Sequence, residues 1–177
     1  MKITKYLPII ALSFVFVLIT FFAIRSNTRS INDTGNLMLE EIVDDLYQGV
    51  DVPPYETLSL DKKNFEHYTF IPYNDKLSAV AADALVNITP HSMVVIHAEN
   101  GDGAELAEDI LEKADPNKWL CVGSETVKIA YTDHYVVLIM SELDTASAIV
   151  SNFKDMAYDL DHMDIKTISV NNPRYDI

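Results

Sequence analysis

Apolar residues recur every three or four positions where the charged part of the chain begins. Four of them between residues 39 and 46 follow this spacing, and acidic residues occupy the positions between them. This pattern predicts an amphipathic helix over residues 37–48, which a glycine and two prolines end. Residues 59–61 are suited to cap a short second helix that runs to His67.

Alternation with period two, or a short continuous apolar run, predicts the strands. Residues 77–89 suit either a helix or a strand, and the alternation of small apolar residues along them favours a strand. Residues 92–98 form a β-branched run typical of a strand buried on both faces. The alternating residues 126–132, a turn at Asp133 and His134, and the apolar run that follows predict a β-hairpin.

Two further helices and a last strand complete the predicted order. Asp102 and Asp144 are placed to cap helices that carry apolar stripes, and residues 165–170 are suited to one more edge strand. The order is helix, helix, and then ββα twice. It predicts an α+β domain with an antiparallel sheet and with its helices packed on one face.

The N-terminal segment is of a different kind. Tyr6 and Ile24 bound 19 consecutive residues without a charge, a length that as a helix nearly matches a bilayer core of ~30 Å. The segment predicts a transmembrane helix that contacts the membrane from Tyr6 to Ile24. Because neither a small-residue cleavage site nor a lipid-anchor cysteine follows it, an uncleaved signal anchor is favoured over a cleaved signal peptide.

These features divide the chain into four parts. Residues 1–25 are predicted as a membrane anchor, 26–36 as a linker, 37–161 as the α+β domain and 162–177 as a C-terminal extension. Basic residues flank the apolar segment almost equally and decide its orientation weakly, but a short basic start before an apolar run resembles a secretory signal. The predicted location is the cell membrane, single-pass, with the bulk of the chain extracytoplasmic.

Charge is distributed unevenly along the chain. All 27 acidic residues lie at or after Asp33, together with only nine of the 13 Lys and Arg, so residues 33–177 carry a formal charge of −18. Such a domain repels nucleic acid and anionic lipid headgroups, which excludes nucleic acid as a partner, and attracts cations or basic partners. Solubility is the simpler explanation of the same charge.

No residue pattern for a metal or a catalytic centre stands out. The five histidines include no His-x-x-x-His pair, and His91 and His97 would be ~20 Å apart on one strand. The only cysteine, Cys121, follows Trp119 in an apolar setting typical of a buried thiol. No nucleophile-elbow or phosphate-loop motif occurs, so the sequence predicts no catalytic, cofactor-binding or metal-binding residue and no cofactor.

The stretch that looks most like a binding loop is HAENGDGAELAEDIL, residues 97–111. It fails the spacing of a calcium loop, because glycine or leucine falls where oxygen ligands are needed. Its acidic residues would repel a phosphate, and no Lys or Arg lies between residues 96 and 112. Asp102 and Glu105 instead fit a capping box, so the stretch is interpreted as a strand-to-helix junction.

Three apolar segments carry a resemblance to a known family. They are LEEIVDDLY, NITPHSMVVIHAENGDGAELAEDILE and ETVKIAYTDHYVVLIMSE. Residues 37–153 resemble a small Gram-positive bacterial family of membrane-anchored or lipoprotein-type chains whose domain has no assigned function. The chain departs from that family in lacking a lipid-anchor cysteine and in its C-terminal extension. The resemblance implies a location and a fold, and it carries over no catalytic residue.

Two kinds of function fit these observations. The first is a non-enzymatic binding or accessory module of the cell envelope, tethered to the membrane, which the absence of catalytic motifs favours. The alternative is a small envelope hydrolase with a site that the sequence does not display. A pocket that gathers perturbed carboxylates or a Cys–His pair would favour the enzyme, whereas an exposed apolar patch or an open sheet edge would favour binding.

Overall fold

The computed structural model describes residues 39–86, 88–119, 122–158 and 165–175. These residues form four α-helices, six β-strands and one turn of 3₁₀-helix. In chain order they are α1 (Leu39–Leu46), β1 (Tyr55–Ser59), α2 (Phe65–Thr69), β2 (Leu77–Ala84), β3 (Ser92–Ala98), α3 (Gly103–Lys113), β4 (Thr126–Tyr131), β5 (Tyr135–Ser141), α4 (Leu143–Tyr158), β6 (Lys166–Asn171) and the 3₁₀ turn Pro173–Tyr175.

The six strands form one antiparallel sheet in the order β1-β2-β3-β5-β4-β6. β3 and β5 lie at its centre, where every residue of β5 is buried and only His97 of β3 is partly exposed. Their β-branched and other apolar side chains alternate between the two faces of the sheet. The predicted strand 92–98, the hairpin with its turn at Asp133 and His134, and the edge strand near the C-terminus are confirmed.

Helices cover both faces of this α+β sheet, so the prediction that they pack on one face is wrong. On one face, the α1/α4 face, Leu46 and Phe153 share a core with Val137 of β5. On the other, the α2/α3 face, Ile110 shares a core with Leu138. Because β3 and β5 are apolar on both faces, a single layer of helices would leave half of their side chains in water.

Some element boundaries differ from those that the sequence predicts. β1 is absent from the prediction because four of its five residues are exposed and show no apolar alternation. The second helix begins later than predicted, at Phe65. Asp144 is not an N-cap but lies in the first turn of α4, which begins at Leu143. The stretch 77–89 is a strand as far as Ala84, which confirms the strand interpretation for its first eight residues.

The predicted fold included a transmembrane helix, and this part of the prediction is corrected. Within the described residues, no helix has the length and apolar character that crossing a membrane requires. The predicted signal anchor, from Tyr6 to Ile24, lies outside the described residues, as does the predicted linker 26–36.

β6 falls inside the predicted C-terminal extension, residues 162–177. It pairs with β4 from Lys166 to Asn171, and Ile168 packs against the core of the α2/α3 face. The sheet therefore reaches past residue 161, where the sequence places the end of the domain.

Candidate functional site

A cleft of about 340 Å³ opens on the α1/α4 face at one end of the sheet. Three segments form its walls: residues 51–54 before β1, residues 89–91 before β3, and the junction between β5 and α4. Prolines in the first two segments fix the backbone φ angle and so shape the walls. The exposed residues Asp51 and Glu142 also line the cleft, so a ligand would meet apolar surface and carboxylates together.

A buried histidine lies at the floor of the cleft. His91 is 1% exposed, and its Nε2 lies 2.7 Å from the Tyr47 hydroxyl while its Nδ1 lies 2.9 Å from Ser141 Oγ. A neutral imidazole has one donor and one acceptor nitrogen, so one of these hydroxyls donates to the ring and the other accepts from it. Both ring nitrogens are therefore satisfied within the protein.

Burial keeps this network uncharged at neutral pH. Burial lowers the pKa of His91 to about 4, opposed by Asp83 and aided by Lys118. Burial also raises the pKa of Tyr47 well above its usual value, and Tyr55 and Asp83 act in the same direction. The contacts among Tyr47, His91 and Ser141 are therefore hydrogen bonds between neutral groups.

The contact between Ser141 and His91 has the length of a nucleophile–base hydrogen bond, but its surroundings differ from those of a serine hydrolase. Ser141 is 3% exposed, so a substrate would not reach its Oγ without a movement of the strand end. In a catalytic triad the ring nitrogen away from the nucleophile faces a carboxylate, whereas here the nitrogen away from Ser141, Nε2, faces the Tyr47 hydroxyl. A base with a pKa of about 4 is also weak at neutral pH. This geometry suits a structural role, in which the hydrogen bonds of His91 fix the floor of the cleft, better than it suits catalysis.

A second polar cluster lies at the same end of the sheet on the α2/α3 face. Lys118 Nζ donates to Ser92 Oγ over 2.9 Å and lies 3.5 Å from Asp83 Oδ1. The ring centroids of Tyr68 and Trp119 lie 5.4 and 4.9 Å from the same nitrogen. Burial lowers the pKa of Lys118, and Asp83 opposes that shift. These partners engage the ammonium group, so the cluster attaches the loop before β4 to the sheet.

An exposed apolar turn borders the cleft. Leu85, Val86 and Ile88, here called the apolar turn, lie between β2 and β3 and are 58%, 51% and 73% exposed. Turns usually carry Gly, Pro, Asn, Asp or Ser, and a contiguous exposed apolar group marks a binding surface more often than a single residue does. The Leu85 amide donates to the Pro54 carbonyl over 2.9 Å, which fixes the apolar turn beside the cleft wall and the start of β1.

Residues 97–111 form the predicted strand-to-helix junction, but the predicted capping box is wrong. Asp102 is the N-cap of α3 without a side-chain capping bond, and its Oδ1 is buried with no partner among the described residues. The β4–β5 hairpin fixes the junction instead, because the Gly103 amide donates to the Asp133 carbonyl over 2.9 Å. A Cβ at position 103 would overlap the Thr132 carbonyl oxygen, so this close approach requires glycine.

The histidines do not assemble into one site. His97 stacks on His134 with ring centroids 6.3 Å apart, while His91 lies in the cleft floor and His67 is exposed on α2. His162 and Cys121 lie outside the described residues. In the part of the chain that the structure describes, no group of three or more His, Cys, Asp or Glu side chains is arranged to hold a metal ion.

Sequence reasoning missed the cleft floor and the apolar turn for different reasons. Tyr47 and Ser141 are 44 and 50 residues from His91, so no local motif joins them. The apolar turn left a signal, but the alternation that predicts a strand continues through Val86 and hides the end of β2 at Ala84.

Comparisons with protein-family models, curated proteins and solved structures found no match to this chain. The resemblance to the Gram-positive family therefore stays a prediction. The features of the protein that bear on its function are the cleft, the apolar turn and the acidic charge of the chain.

Proposed function

We propose that the domain is a non-enzymatic binding module whose partner docks on the apolar turn and the adjoining cleft. The observation that carries this proposal is the exposure of three apolar side chains, Leu85, Val86 and Ile88, within one short turn. Covering apolar surface contributes ~25 cal/mol per Å², and an exposed apolar patch rimmed by polar residues marks an interaction site.

A polypeptide is the partner that this surface suits best. The cleft volume of about 340 Å³ is at the small end of ligand sites, enough for an inserted side chain. The carboxylates of Asp51 and Glu142 line it, and the charge of −18 over residues 33–177 opposes phosphate-rich ligands. A segment with an apolar side chain flanked by basic groups matches both features. The location of the domain in the cell envelope stays a prediction of the sequence.

A small hydrolase is the alternative function. One contact favours it, the 2.9 Å separation of Ser141 Oγ and His91 Nδ1 at the cleft floor. If Ser141 were a nucleophile, Ser141→Ala would abolish hydrolysis of an ester or amide substrate, which a binding module does not catalyse. The burial of Ser141 and the low pKa of His91 make this the second candidate.

Affinity capture with the full-length chain tests the binding proposal. Wild type and a double variant, Leu85→Ser with Ile88→Ser, are used as baits in cells of the source organism. Both side chains are exposed, so the fold should remain intact. We expect a partner that wild type enriches and that the double variant recovers roughly ten-fold less, because the apolar surface that the partner covers is reduced by two side chains.

Val170→Ser is the matched control, since Val170 is 43% exposed on β6 at the opposite edge of the sheet. It should capture the partner as wild type does. Equal recovery by all three baits, or no enrichment over a blank matrix, would contradict the proposal.

A further inference from the structure

β1 ends the sheet in the described part of the chain, and its pairing with β2 decides which of its backbone groups face outward. The Leu60 amide donates to the Ala79 carbonyl over 2.8 Å, and hydrogen-bonded pairs alternate with unbonded pairs along antiparallel strands. In the observed register, the backbone N–H and C=O groups of Glu56 and Leu58 therefore form hydrogen bonds to β2. The residues whose N–H and C=O groups consequently point away from the sheet are Tyr55, Thr57 and Ser59.

Carboxylates flank this open edge on both faces of the sheet. On the α1/α4 face, Ser59 Oγ donates to Glu40 Oε1 over 2.6 Å, and burial followed by the charge of Asp44 raises the pKa of Tyr55. On the α2/α3 face, Glu56 is the exposed carboxylate at the edge, whereas its register partner on β2, Asp83, lies beside Lys118. Side chains of a strand added beside β1 would alternate between these faces and meet acidic groups on each.

We propose that β1 accepts an extended segment, rich in Lys or Arg, from a partner protein, which lengthens the sheet by one strand. This inference rests on the proposed function and names the kind of partner. The outward amides and carbonyls of β1 supply main-chain hydrogen bonds, and the flanking carboxylates select basic side chains. The Leu85–Pro54 hydrogen bond places the apolar turn at the end of the sheet where β1 begins, one strand inward from the added segment.

A second copy of this chain is a poorer occupant of the same edge. Pairing β1 with another β1 would bring two sets of the carboxylates of Glu40, Asp44 and Glu56 together. Like charges across a strand pair are destabilising, and residues 33–177 of each copy would also carry −18.

Binding of two synthetic peptides to the full-length protein tests the inference. One peptide alternates Lys and Val over about eight residues, and its control alternates Glu and Val. We expect the Lys/Val peptide to bind roughly ten-fold or more tightly than the control. Amide hydrogen exchange should slow at Thr57 and Ser59, whose N–H groups face outward, and should change little at Glu56 and Leu58, which already bond to β2.

Thr57→Pro removes an outward N–H without breaking a hydrogen bond to β2, a substitution that edge strands tolerate. We expect it to weaken binding of the Lys/Val peptide roughly ten-fold, whereas Thr57→Val keeps the amide and should bind within about two-fold of wild type. Glu56→Lys is the second variant should Thr57→Pro not fold, and it should weaken binding several-fold and reduce its salt dependence.

Strand addition would be overturned by no binding of the Lys/Val peptide, by equal binding to wild type and Thr57→Pro, or by slowed exchange confined to the apolar turn. A dimer of the protein alone that Thr57→Pro dissociates would overturn it in favour of a second copy. Each of these results leaves the capture experiment with Leu85→Ser and Ile88→Ser unaffected, so the failure of strand addition is distinguishable from the failure of the binding proposal.

Discussion

Single polar residues inside this domain depend on partners that are distant along the chain. His91 is held by Tyr47 and Ser141. No sequence spacing could indicate these contacts, because they form only when the end of α1 and the end of β5 both lie beside the start of β3. Asp102 was predictable as an N-cap because a cap position is a local feature. The absence of its capping bond was not predictable from the sequence, and the contact that fixes the start of α3, from the Gly103 amide to the Asp133 carbonyl, joins residues 30 positions apart.

Because His91 is buried as a neutral group, we expect the free energy of unfolding to fall in acid. Its pKa is about 4 in the folded protein and ~6.5 when unfolded, so the unfolded state takes up the proton first as the pH falls. The full stability is present above pH ~6.5 and declines towards pH ~4, by about 3 kcal/mol in the free energy of unfolding. His91→Gln keeps the hydrogen-bonding groups without the titration and should flatten this decline, as measured by chemical denaturation between pH 4 and 7.

His67→Gln is the matched control for this measurement, because His67 is exposed on α2. It should retain the pH dependence of wild type. If His91→Gln declines with pH as steeply as wild type does, burial of a neutral His91 is not the cause.

Among the secondary-structure elements, those with a strong local pattern were predicted and those without one were not. β3, the β4–β5 hairpin and the apolar stripe of α4 are all visible in the sequence because their buried residues recur at strand or helix spacing. β1 is exposed along most of its length and becomes a strand by pairing with β2. The division of the helices between two faces follows from the apolar character of both sides of β3 and β5, which a one-face layer cannot cover.

β6 makes the C-terminal residues part of the sheet, and Asn172 after it is the residue on which this attachment most depends. Asn172 is 1% exposed. Its backbone N–H donates to the Glu125 carbonyl over 2.7 Å, and its side-chain Nδ2 donates to the Ser124 carbonyl over 2.9 Å. Asn172→Ala removes the side-chain bonds from a buried site and should lower the free energy of unfolding by about 1–3 kcal/mol. Chemical denaturation measures the loss.

Asn171→Ala is the comparison, because Asn171 pairs with Thr126 through its backbone and its side chain is exposed. It should change the free energy of unfolding by less than about 0.5 kcal/mol. Equal losses in the two variants would mean that the C-terminal residues are attached to the sheet by main-chain pairing alone.

In the whole molecule, the cleft, the apolar turn and the open edge of β1 adjoin one another within an acidic domain. The charge, and the partner classes that it disfavours, could be read from composition alone. The candidate binding surface could not be predicted from the sequence, because residues 51–54, the apolar turn and the β5–α4 junction come together only in the folded sheet. Together these features form the surface that we propose binds a basic segment with some apolar residues.

Site-specific photo-crosslinking in cells tests most directly whether this end of the sheet binds a partner. A photoreactive amino acid is placed at position 88 in the apolar turn, and for comparison at position 108, which is exposed on α3 on the opposite face. We expect an adduct of discrete mass at position 88 and only background at position 108. Equal adducts at both positions, or none at position 88, would contradict the proposed binding module.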